Sequence, residues 1–149
     1  MVKLLVVLAV VAVAVVVAEV LRRRRPDAPT QPAARHEAPA QLDRSDFDGA
    51  DREWLVAVFT SATCGTCAET VARASVLGSD AVAVAEVEVS ARPDLHERYG
   101  IEAVPIVAIA DRSGVVRQSF VGPVSATHLW GAMAELREPG SVPPGCGDH

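Results

Sequence analysis

The chain has 149 residues, half of them apolar, and a formal net charge of −5. That length allows one domain of ordinary size plus extensions. Between Asp43 and Glu138 there are 8 Lys/Arg against 15 Asp/Glu, a balance of −7 that argues against a nucleic-acid partner.

The chain opens on its most apolar stretch. Leu4 to Ala18 is an unbroken apolar run, and Val2 to Leu21 is interrupted only by Lys3 and Glu19. A helix needs about 20 such residues to cross a bilayer core, so residues 1–21 are expected to form a transmembrane helix. A cleaved secretory signal competes, because Val16 and Ala18 sit at plausible positions before a cut. Four arginines, Arg22 to Arg25, come at once after it and resist transport across the membrane. A buried core helix is disfavoured because nothing in the stretch is amphipathic. The arginine block also predicts that the domain beyond it stays on the cytoplasmic side, with an extracytoplasmic domain as the alternative.

Residues 22–42 hold four prolines and no apolar periodicity, which predicts an extended, solvated tether. A domain is expected over 43–138, and the Pro/Gly-rich end, 139–149, is expected to be a flexible tail.

Within the domain, "WLVAVF" from Trp54 reads as a central strand buried on both faces. After it, Val71, Ala74 and Leu77 recur at helical spacing up to Gly78. Ala81 to Ser90 alternates as a strand, with Glu86 and Glu88 on one face. Pro93 to Tyr99 permits a short helix closed by Gly100. "VPIVAIAD" and "VVRQSFVG", joined by the turn residues "DRSG", predict a hairpin. Leu129, Met133 and Leu136 mark a last helix, with Ser125 as its N-cap. Strand–helix alternation at the front implies parallel pairing and the hairpin implies antiparallel pairing. The result is an α/β fold, a mixed sheet with helices on both faces.

Cys64 and Cys67 fall between the first strand and the first helix. A helix start has free backbone N–H groups and a positive dipole end, and both stabilise a thiolate. A cysteine there can ionise well below its free pKa of about 8.5. Cys64 would attack a disulfide, and Cys67, one turn along, would resolve the mixed disulfide. Pro105 stands immediately before an apolar strand, where proline is normally unwelcome. A cis bond between Val104 and Pro105 would account for it and would turn a backbone edge toward the cysteines, where a substrate strand could pair.

The strand followed by C-x-x-C, the "YGI" and "VP" of residues 99–105 ahead of two closing strands, and Gly122 before the last helix occur in this order. Residues 54–136 thereby resemble the thioredoxin family. The resemblance implies the thioredoxin fold and protein-disulfide oxidoreductase activity, with Cys64 as nucleophile, Cys67 as resolving thiol and Pro105 as the cis-proline. It implies no bound cofactor, since electrons come from another protein or a small thiol.

The departures point to a specialised relative. Thr63 stands where the family commonly has Trp, and Gly65-Thr66 where it has Gly-Pro, placing a hydroxyl near a sulfur. Val58 occupies the position of a buried Asp that handles the second thiol's proton, and Glu86 that of its lysine. Glu86 is a candidate substitute proton carrier; a solvated strand residue is the plainer reading.

Two rivals stay open. Cys64, Cys67, Cys146 and His149 form a C-x2-C plus C-x2-H set that could hold zinc. A thioredoxin-like adaptor without turnover is the other. Cys146 is otherwise a tail thiol, and His36, His96 and His128 are expected to be exposed.

Overall fold

The computed structural model describes residues 37–141. The expected membrane helix at 1–21, most of the expected tether, and the tail carrying Cys146 and His149 lie outside the described residues. No helix among the described residues is long and apolar enough to cross a membrane.

Four strands form one sheet: β1 (Trp54–Thr60), β2 (Val82–Glu88), β3 (Ile106–Ala110) and β4 (Val116–Val121), in the order β2-β1-β3-β4. Every residue of β1 is buried, as a central strand with an unbroken apolar run requires. It pairs in parallel with β2 and antiparallel with β3, and β3 pairs antiparallel with β4. The sheet is therefore mixed, as the alternation of elements predicts.

Successive residues of β1 feed opposite cores. Trp54, Val56 and Val58 meet Ala74 of helix α1 (Cys67–Ser75) and Leu129 and Met133 of helix α3 (Ala126–Arg137). Leu55, Ala57 and Phe59 meet Leu95 of helix α2 (Pro93–Arg98) together with Leu42 and Phe47 from the chain ahead of β1. Helices thus cover both faces. Ser125 caps α3 as expected, its hydroxyl accepting from the His128 N–H at 3.2 Å.

The domain begins ahead of the expected boundary at 43. Ala38 packs against the second core, Gln41 bridges Val115, and Leu42 is fully buried. The hydrogen bonds that hold this segment run to the β3–β4 turn: Leu42 N–H donates to Gly114 C=O at 2.8 Å and Val116 N–H to Ala40 C=O at 2.9 Å. The prolines that suggest a tether do not prevent edge pairing of this kind.

Polar clasps reinforce the same side. The buried Arg44, in a 3-10 turn at Arg44–Asp46, donates to the carbonyls of Asp111, Gly49 and Arg52 at 2.8, 3.1 and 3.0 Å. The Tyr99 hydroxyl donates to the Asp46 carboxylate and accepts from the Asp43 N–H at 3.0 Å. Arg98 pairs with both Asp43 and Asp46.

His96 departs from its expected exposure. It is buried, with Nε2 at 2.8 Å from the Val87 carbonyl and its ring edge-on to Phe59 at 5.5 Å. A helix of one and a half turns gives periodicity too little length to separate its inner from its outer face.

Candidate active site

The end of β1 sets the position of the cysteines. Thr60 closes the strand, and residues 61–66 turn the chain into α1, with Cys64 N–H donating to Ser61 C=O at 3.0 Å. The helix begins at Cys67 with Thr66 as its N-cap, so Cys64 lies in the turn ahead of the cap and not in the helix's first turn. The two side chains are joined in a disulfide with Cα atoms 5.5 Å apart. Cys64 is partly exposed and Cys67 is 3% exposed, an asymmetry that leaves one sulfur open to a partner and the other shielded.

The peptide bond between Val104 and Pro105 is cis. β1 and β3 pair Phe59 with Ile106, so Pro105 falls beside Thr60, at the same end of the sheet as the cysteine turn. Gly122 N–H donates to the Pro105 carbonyl at 2.8 Å, tying this end of β3 to the end of β4. A cleft of about 220 Å³ adjoins the turn, lined by Ser61, Val89, His96, Ile101 and Val104 among others.

Glu86 stands on the sheet face that carries α1, opposite Val58 in register. Its carboxylate accepts from the Thr60 hydroxyl at 2.9 Å, and the residue is otherwise exposed. Glu88 takes a part that its strand position alone does not reveal. Its carboxylate accepts from Ala62 N–H at 3.1 Å and from Ser90 and Ala91 N–H at 2.8 and 3.0 Å. It thereby fastens the loop ahead of the cysteines to the loop after β2. Burial opposes its ionisation, but these N–H donors outweigh it and hold the carboxyl below its ordinary range. An acidic residue at a strand end, next to a turn with free N–H groups, is the sequence signal for such a clamp.

The cysteines of the zinc alternative are bonded to each other, and its other half, Cys146 and His149, lies outside the described residues. No group of three or more metal-ligating side chains occurs among the described residues.

Among solved structures, the chain is similar to a mutant thioredoxin from Halobacterium salinarum, with 25% identity and a TM-score of 0.53 over 63% of this chain and 81% of that one. It is similar to a malarial protein at 11% identity and TM-score 0.51, over 56% of this chain and 97% of that one. Mitochondrial thioredoxin 3 from Saccharomyces cerevisiae, in its oxidised form, is 19% identical at TM-score 0.49, over 58% and 81% of the two chains. No protein-family model and no curated protein matches the sequence.

Proposed function

We propose that this chain is a thioredoxin-family thiol-disulfide oxidoreductase that reduces protein disulfides through Cys64 and Cys67, a reading supported by its similarity to a solved thioredoxin. The observation that carries this reading is the disulfide between a partly exposed and a shielded cysteine at the junction of a central strand and a helix.

In the reduced protein, the Cys64 thiolate attacks one sulfur of a substrate disulfide. A mixed disulfide forms and the other substrate sulfur leaves as a thiolate. Cys67 then attacks the Cys64 sulfur, the 64–67 bond closes, and the second substrate sulfur departs. A donor dithiol or a small thiol returns two electrons to the pair. The substrate backbone runs beside Val104 and Pro105, at the sheet end they share with the cysteine turn. Glu86 carries the proton of the second thiol, from the face of the sheet that α1 covers.

Val2 to Leu21 anchors the protein in a membrane, and the arginines after it keep the domain on the cytoplasmic side. A thiol reagent that cannot cross membranes, applied to intact cells, tests the side: labelling of Cys64 places the domain outside.

The activity is tested by reduction of insulin disulfides with a thiol as electron donor. Cys64→Ser abolishes turnover, and Cys67→Ser accumulates a mixed disulfide with substrate. Full activity in Cys64→Ser overturns the reading.

A further inference from the structure

Thr66 is an N-cap residue whose side chain does not cap. A threonine at this position ordinarily accepts a hydrogen bond from a first-turn N–H. Here the hydroxyl makes no such bond. It lies instead 3.8 Å from Cys64 Sγ, within reach of a large, soft acceptor. Its backbone is held independently of that contact. The Thr66 carbonyl accepts from the Thr70 N–H at 3.2 Å and from the Thr70 hydroxyl at 3.0 Å, and Thr70 is fully buried. The side chain is thus presented to the sulfur by a fixed turn of helix.

We infer that Thr66 is a positioning residue whose hydroxyl donates to the Cys64 thiolate in the dithiol form, setting how readily that sulfur ionises. This rests on the redox reading of the pair. When a donor dithiol breaks the 64–67 bond, two electrons enter, Cys67 takes up a proton, and Cys64 keeps the negative charge. A disulfide sulfur is a weak acceptor, whereas a thiolate is a strong one, so the hydroxyl favours the reduced state over the oxidised one. Removing it leaves the thiolate to solvent and the helix dipole alone.

The test uses the full chain, reduced, with alkylation by iodoacetamide followed at Cys64 by peptide mass spectrometry across pH. Thr66→Val, which keeps the shape and removes the hydroxyl, should raise the Cys64 pKa by about one unit, a tenfold loss of thiolate at a pH below both values. The reduction potential should become more negative by up to about 30 mV at a pH above both values. Thr66→Ser should behave as wild type. Unchanged far-ultraviolet circular dichroism in both variants separates this from loss of the helix. A low wild-type pKa that Thr66→Val retains overturns the proposal alone, as does an equal rise in Thr66→Ser. A wild-type Cys64 that titrates as a free thiol overturns the proposal and the redox reading together.

Discussion

One face of the sheet is covered by α1 and α3, which bring Ala74, Leu129 and Met133 onto β1 and β3. The other is covered by the six residues of α2 and by chain from Ala38 to Phe47 with little regular structure. The first face closes mainly by apolar interdigitation, with two long polar reaches: Trp130 Nε1–H to the Arg73 carbonyl at 3.0 Å and the Arg73 guanidinium to the Val124 carbonyl at 2.6 Å. The second adds Arg44, Tyr99 and Arg98, each tied to groups distant in sequence. Short elements bury less apolar area each, so directional bonds supply the order that periodic packing supplies opposite. The cysteine turn emerges from β1 between the two, and its helix belongs to the first.

Breaking the first face should have the largest effect. Leu129 is fully buried, so Leu129→Ala should cost about 3 kcal/mol through lost transfer energy and the cavity left behind. The check is the denaturant midpoint. On the second face, Gly114 has φ +82° and a Cβ there would meet the Leu42 carbonyl oxygen at 1.9 Å. Gly114→Ala should cost about 2 kcal/mol, from left-handed strain and displacement of the segment before β1. Proteolysis near residue 42 should accelerate more than unfolding does; equal acceleration would show that the two faces melt as one. Tyr99→Phe removes the hydroxyl that joins Asp46 to the Asp43 N–H, for about 1 kcal/mol. Hydrogen exchange at the Asp43 amide should rise while α3 amides stay protected.

The contrast between faces is also a contrast in what can be read from sequence. Leu129, Met133 and Leu136 announce α3 because twelve residues give a period room to repeat. The unbroken apolar runs of β1 and β3 announce strands buried on both faces, and the turn "DRSG" announces their neighbour. Residues 38–42 carry no such pattern; their place depends on a bridge to Val115 and on a glycine far along the chain. His96 is hidden by a partner carbonyl, Val87, that no local rule supplies. At the site, the cysteines, Val104 and Pro105 are legible as a motif. The Thr66 hydroxyl beside a sulfur follows from its place between the cysteines, whereas its failure to cap the helix and Glu88's clamp on Ala62 depend on three-dimensional approach.

The smallest expected effect separates the faces by charge. Asp111 sits in the β3–β4 turn against which Leu42 packs, and Asp43 stands one residue further along. The Ser113 hydroxyl holds the Asp111 carboxyl below its ordinary range, with Arg117 and the Val115 N–H adding to this against the opposing effect of burial. The Ser45 hydroxyl and N–H do the same for Asp43, with Arg98 contributing. Both groups titrate lower folded than unfolded, so the unfolded chain binds protons first as pH falls. Their stabilisation is complete above the unfolded aspartate value of about 4 and fades as pH drops through the lower folded values. Unfolding midpoints should therefore be flat from neutral pH down to that point and decline below it. Asp111→Asn should start lower and decline less. An Asp111→Asn curve parallel to wild type through the acid range would show that this turn takes no part in the acid response, and that the second face does not depend on its carboxylates as the bonding pattern indicates.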